Sequence, residues 1–210
     1  MRALAALVLG LALGPAAHGG AQHEEPLADK VRGALTAAVA DAAPPRPTFD
    51  SIDDRLAYLR WLGATSEKLR KRKSEHAVRV EFLETVWYES KRAGLEPALV
   101  LGLIQVESAF RKYAISPAGA RGYMQVMPFW TRAIGNGDAA GLFHLQTNLR
   151  FGCVILRHYL DLEKGDLFLA LGRYNGSRGR AEYPNAVFAN RRLWLDADPA
   201  LAASRSTPGT

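Results

Sequence analysis

Hydrophobic residues recur every three to four positions through most of this chain, and no stretch alternates in twos. That period predicts helices and argues against a sheet-rich fold. Val78, Phe82, Leu83, Val86 and Trp87 form one stripe, and Gly94 is placed to close their helix as a left-handed cap. The run LEPALVLGLIQVES follows, with Pro97 suited to a first turn. Its apolar residues lie on most faces, which predicts a central, buried helix. Upstream, Ser51 and Asp54 make a capping box ahead of a stripe of Ile52, Leu56, Leu59 and Leu62. Downstream, LQTNLRFGCVILRHYLDLEKG and DLFLALGRYNGS predict two more helices, each stopped near a glycine. Between these blocks ISPAGARGYMQVMP has no clean period; it predicts a loop and then a short helical segment ending before Pro128. FWTRAIGNGDAAGLFHLQTN reads as irregular with some helix.

The flanks divide the chain. Arg2, an apolar stretch from Ala3 to Leu13 and small residues up to Ala17 or Ala21 form a secretory signal pattern, assigned to residues 1–21. The apolar part is too short to span a bilayer, and no cysteine near the cut offers a lipid attachment point. Residues 22–74 read as a short alanine-rich helix, a linker through Pro47 and a helical N-terminal extension. Residues 75–196 form the main domain, and 197–210 read as a disordered tail.

Composition narrows the picture modestly. The chain has 210 residues, 48% hydrophobic and 23% charged, as expected of one globular domain with an extension. Its formal net charge of +6 favours an anionic partner. No nucleic-acid motif accompanies that charge, and KLRKRK at 68–73 reads as a solvated helix face. Cys153 is the single cysteine, so no intramolecular disulfide forms, and its apolar neighbours suit a buried packing role.

The chemistry centres on Glu107. On a helix it shares a face with Val100, Leu103 and Ile104, and so points inward rather than to solvent. It also stands at the helix C-terminus, where the dipole is negative. Both conditions disfavour ionisation, which suits a general acid. A boundary residue reaching water is the alternative. No Asp or Glu follows until Asp138; Ser116, Tyr123, Gln125 and Met127 occupy the interval. That lining suits an uncharged, hydroxyl-rich ligand and not a divalent metal, and the histidines show no metal-site spacing. No cofactor is expected.

These residues resemble a known signature. ESAFRKYAISPAGARGYMQVMP is similar to the motif of the SLT-type lytic transglycosylases, through Glu107-Ser108, Ala114-x-Ser116, Gly119-Ala120-x-Gly122-Tyr123-Met124-Gln125 and Met127-Pro128. NLRFGCVILRHYL matches the family's Asn-x-x-x-Gly helix through Asn148 and Gly152, and RYNGS matches its Ala-Tyr-Asn element through Tyr174 and Asn175. The resemblance covers about Glu75 to Trp194. Two positions depart: Tyr123 stands for the usual Leu and Arg173 for the usual Ala, with an altered subsite shape expected from both.

The resemblance implies an all-α, goose-type lysozyme-like domain acting on peptidoglycan glycan strands. Glu107 would serve as acid and then base at the β-1,4 bond between N-acetylmuramic acid and N-acetylglucosamine, leaving a 1,6-anhydro product. Ser116, Gln125 and Met127 would bind sugar, Tyr174 would orient Glu107, and Tyr123 would shape a subsite. Cell-envelope or secretion-machine components are compatible further partners, and an exported, periplasmic or secreted, non-lipidated protein is expected. A hydrolytic muramidase would need a second carboxylate, about 5–5.5 or 6.5–9.5 Å from the first. Asp138, Asp161 and Glu182 are candidates if the fold brings them near. A non-catalytic peptidoglycan-binding protein is the other alternative.

Overall fold

The computed structural model of the protein describes residues 22–40 and 46–195. The expected signal segment, part of the expected linker and the tail lie outside the described residues. Eight α-helices account for most of the rest: α1 Asp29–Ala40, α2 Ile52–Leu69, α3 His76–Arg92, α4 Pro97–Ser108, α5 Phe129–Ile134, α6 Leu145–Leu162, α7 Leu167–Asn175 and α8 Glu182–Leu195. The all-α expectation holds. The only extended pairing among the described residues is two isolated bridges, Ile115 with Arg121 and Arg121 with Val126.

The core is built around α4, as its all-round apolar pattern predicts. Val100, Leu101, Leu103 and Ile104 have no solvent exposure. Fully burying each such side chain contributes about 1.5–3 kcal/mol. The helix starts at Pro97, and α3 reaches it through a glycine-closed turn. Gly94 takes φ +64°, Leu95 N–H donates to Ser90 O at 2.8 Å, and Gly94 N–H donates to Lys91 O at 3.0 Å. This is the left-handed cap expected there.

Helix α8 packs along α4 at Gly102. A Cβ at that position would lie 2.6 Å from the Arg191 backbone nitrogen, so only glycine permits this approach. Trp194 Nε1 then donates to Gln105 Oε1 at 3.0 Å, and Arg191 Nε to Glu96 Oε2 at 2.5 Å. Across the core, Arg150 of α6 binds Glu89 of α3, both buried, with Nη2 donating at 2.8 Å.

Three expectations are corrected. The helical segment expected before Pro128 is absent: turns and the two bridges fill 109–128, and α5 begins after the proline. Of the expected α2 stripe, Ile52, Leu56 and Leu59 face solvent, at 77%, 42% and 48% exposure, while Leu62 is half-buried against the core. The opposite face, Tyr58, Trp61, Thr65 and Leu69, is buried instead. The Trp61 ring lies tilted against Trp87 with centroids 4.8 Å apart, and Tyr58 meets the same ring at 5.1 Å. Large aromatic rings bury more area than leucines and decide which face turns inward. Ser51 still caps α2, accepting from Asp54 N–H at 3.0 Å.

The basic run 68–73 is not simply a solvated face. Lys68 Nζ donates to Leu193 O at 2.8 Å, and Lys73 Nζ donates to Tyr123 OH at 2.7 Å. Lys73 also lies 5.0 Å from the Phe82 ring centroid, and burial pulls its ammonium below the usual lysine range.

Candidate active site

Glu107 ends α4 in the interior, at 1% exposure. The chain then turns away sharply, because Ala109 and Phe110 both take left-handed conformations, at φ 49° and 65°. Ser108 fixes that turn. Its hydroxyl lies 3.1 Å from Ile104 O and 2.7 Å from Tyr123 O, tying the helix end to the loop beyond it.

The loop 114–126 is held from within. Ser116 Oγ accepts from Ala120 N–H at 3.1 Å. Gln125, itself left-handed at φ 50°, donates through Nε2 to Ala114 O and Gly122 O at 3.1 and 2.9 Å. Asn148 of α6 reaches in from below. Its Oδ1 accepts from Met124 N–H at 2.8 Å, while Nδ2 donates to Arg121 O and Leu142 O at 2.9 and 2.8 Å. Gly122 lies over this amide at φ +75°, where a Cβ would come within 2.4 Å of Asn148 Nδ2. One turn along α6, Gly152 leaves room for the Met124 side chain. The asparagine and the two glycines are therefore the supports of one loop.

The tyrosines divide their work differently from expectation. The Tyr174 hydroxyl donates to Met124 O at 2.8 Å. A carboxyl partner is Tyr183, in the first turn of α8, whose hydroxyl donates to Glu107 Oε1 at 2.5 Å. Both phenols are buried, and burial followed by the charge of Glu107 holds each well above the usual tyrosine range. The Tyr183 hydroxyl is thus a buried donor to the carboxyl group.

Each expected site residue can now be located. Ser116 and Gln125 flank the loop, with the hydrogen bonds just given spent on its own backbone. Met127 is half-buried against the core. Tyr123 is buried at 4% exposure, its ring 5.0 Å from Phe82 and its phenol on Lys73, pushed up to about 12 mainly by burial. These contacts tie it to the α2–α3 junction. Two of the three second-carboxylate candidates are engaged elsewhere. Asp138 accepts from Ala140 and Gly141 N–H, each at 3.0 Å; Asp161 pairs with Arg157; Glu182 is exposed. No group of three or more His, Cys, Asp or Glu among the described residues could hold a metal ion. Cys153 is buried, and burial pushes its thiol up.

Tyr183 escaped the sequence reading. The signal was present: Tyr183, Val187 and Trp194 are buried at helical spacing, and the first of them is the polar-tipped one.

A family model described as Transglycosylase SLT domain matches residues 84–191. The transglycosylase of Enterobacteria phage PRD1 is 32% identical over 121 residues, which cover 54% of this chain and 44% of that protein. Membrane-bound lytic murein transglycosylase C of Actinobacillus pleuropneumoniae serotype 5b is 39% identical over 84 residues, 36% of this chain and 23% of that protein. Among solved structures, lytic transglycosylase Slt of Pseudomonas aeruginosa gives a TM-score of 0.44 at 22% identity, covering 74% of this chain and 30% of that one. The chain spans less than half the length of the curated relatives named here.

Proposed function

Because this chain belongs to the transglycosylase SLT domain family, we propose that it is a peptidoglycan lytic transglycosylase that cleaves the β-1,4 bond between N-acetylmuramic acid and N-acetylglucosamine without water. The observation that carries the reading is a buried carboxyl at the end of α4, Glu107, with the Tyr183 phenol donating to Oε1 at 2.5 Å. With Oε1 accepting from Tyr183, the proton to be delivered resides on Oε2. Glu107 gives that proton to the glycosidic oxygen as the bond to C1 breaks. The resulting carboxylate takes the proton of the muramoyl C6 hydroxyl as its oxygen closes on C1. Glu107 is restored, and the product carries a 1,6-anhydro ring.

Tyr183 keeps the carboxyl oriented in both half-reactions, a positioning role. Ser116, Gln125 and Met127 present the loop to the sugar, and Tyr174 holds that loop through Met124 O. The engagement of Asp138 and Asp161 with other partners supports a mechanism with no second carboxylate. We further propose that residues 1–21 direct export to the periplasm or beyond. No helix among the described residues is long and apolar enough to cross a membrane.

Mass spectrometry of digested peptidoglycan tests the reading. Anhydromuramoyl ends that vanish in Glu107→Gln are expected; reducing ends from the wild-type protein would overturn it in favour of hydrolysis.

A further inference from the structure

An aromatic pair reaches water on the loop that leaves Glu107. Tyr113 is 71% exposed, and Ile115, two residues on, is 64% exposed. Phe143, half-buried at the end of the 3-10 turn Gly141–Phe143, meets the Tyr113 ring with centroids 5.8 Å apart and planes tilted by 49°. Each ring carries a cation. Lys112 Nζ lies 5.4 Å from the Tyr113 centroid, and the Arg121 guanidinium lies 5.7 Å from that of Phe143. Arg121 donates through Nη1 to Ala139 O at 2.7 Å. Neither cation forms an ion pair among the described residues.

Backbone bonds, and not burial, set the place of Tyr113. Before it, Arg111 N–H and Nε both donate to Ser108 O, at 3.1 and 3.0 Å. After it, Ala114 O accepts from Gly122 N–H at 2.9 Å and from Gln125 Nε2 at 3.1 Å. Arg121 is fixed likewise: its N–H donates to Val126 O at 2.9 Å, and Val126 N–H returns to Arg121 O at 3.0 Å. The ring is thus held between the residue after Glu107 and the side chain that anchors the loop, yet it takes little apolar area out of water. Single exposed hydrophobic residues are ordinary on a protein surface. Two rings in contact, each with a cation that lacks a carboxylate, make a patch with a chemical preference.

We propose that Tyr113 and Phe143, with Lys112 and Arg121, form a platform that binds peptidoglycan glycan through a sugar ring and through the carboxylates of the peptide stem it carries. A pyranose with equatorial substituents has a face of axial C–H bonds, which lies flat on an aromatic ring, and the tyrosine tip meets the hydroxyls at its edge. The stem supplies the anions that the two cations lack, and an ammonium or guanidinium on a carboxylate makes the stronger, charge-assisted class of hydrogen bond. The platform therefore selects strands that still bear peptides over bare polysaccharide.

The inference rests on the peptidoglycan reading, and the test separates the two. Binding of the full chain, carrying Glu107→Gln to stop turnover, is measured by co-sedimentation with purified sacculi, intact or stripped of peptide stems by an amidase. Adding Tyr113→Ala should weaken binding to both about tenfold, the worth of one aromatic contact, whereas Tyr113→Phe should keep it, since the ring and not the hydroxyl stacks. Adding Lys112→Gln should weaken binding to intact sacculi about threefold and leave binding to stripped ones unchanged. Melting temperatures should not move, because both side chains are exposed. With Glu107 present, Tyr113→Ala should act on KM for peptidoglycan more than on kcat. Unchanged binding in Tyr113→Ala, or an equal loss on both kinds of sacculi in Lys112→Gln, would overturn the platform while anhydromuramoyl products uphold the reading of function. Binding that follows these expectations in a protein that releases no such products would uphold the platform and overturn that reading.

Discussion

Helices α1 and α4 are both twelve residues long, yet α4 buries ten of its residues and α1 buries none. The contrast extends to the regions they belong to. From α3 onward, position is dictated by apolar area taken out of water. The extension before it adds to one buried face of α2, Tyr58, Trp61 and Leu69, a set of single polar contacts: Gln22 on Trp130, Glu25 on Arg173, Lys68 on Leu193 O, Lys73 on Tyr123. Arg79 reinforces the junction, donating to Lys73 O and Ser74 O at 2.7 and 2.6 Å. Both departures from the family pattern, Tyr123 and Arg173, touch the extension.

The sharpest way to sever chemistry from architecture is Glu107→Gln. It keeps shape and an acceptor for Tyr183 but carries no proton to give, so turnover should fall by about 10²–10⁴-fold. Circular dichroism and the melting temperature should be unchanged, since the loss is of a proton donor and not of packing. Tyr183→Phe is the graded version. It leaves Glu107 in place without its donor, and muropeptide release should drop about tenfold to a hundredfold with little change in KM. The same substitution at Tyr174 should act mainly on loop stability, through the lost bond to Met124 O.

That pair of tyrosines shows what was legible in the sequence. The helices, the Gly94 cap, Pro97 as a helix start and the inward aim of Glu107 all follow from local period and backbone preference. Which tyrosine meets Glu107 does not. Tyr183 is 76 residues away, and it arrives only because Gly102 lets α8 close on α4. The solvent-facing stripe of α2 failed for a related reason. Two apolar faces compete on that helix, and the winner is decided by the Trp87 ring on α3. Periodicity identifies a face; the partner decides whether it is covered.

The next comparison is between charges. Glu89 and Arg150 are at 1% and 5% side-chain exposure, whereas Glu25 is at 57% on its pair with Arg173. Glu89→Ala strands a guanidinium inside the core and should cost about 3–5 kcal/mol in urea unfolding. Glu25→Ala should cost at most about 1 kcal/mol. Glu163 stands between these cases, with Arg178 and then Arg173 holding its carboxyl down to about 2. A depressed folded-state pKa stabilises above the unfolded value and is lost as pH falls through the folded one. Arg178→Ala should therefore melt earlier than wild type at neutral pH, with the gap closing as the pH falls towards about 2.

The smallest effect changes sign between the regions. Gly102 and Gly63 are both helix-interior glycines, and alanine is the better helix former at either by about 0.5–1 kcal/mol. At Gly102 the new methyl would meet the Arg191 backbone at 2.6 Å, and α8 has to shift. Gly102→Ala should destabilise by about 1–3 kcal/mol, and it should lower turnover as well, since the shifted helix carries Tyr183. At Gly63 nothing lies within 4 Å of the added atom. Gly63→Ala should therefore raise the unfolding free energy by about 0.5–1 kcal/mol, the propensity gain alone, with activity unchanged. If Gly63→Ala instead destabilises, the outer face of α2 is in contact with something. The exposed Ile52, Leu56 and Leu59 would then belong to a covered surface.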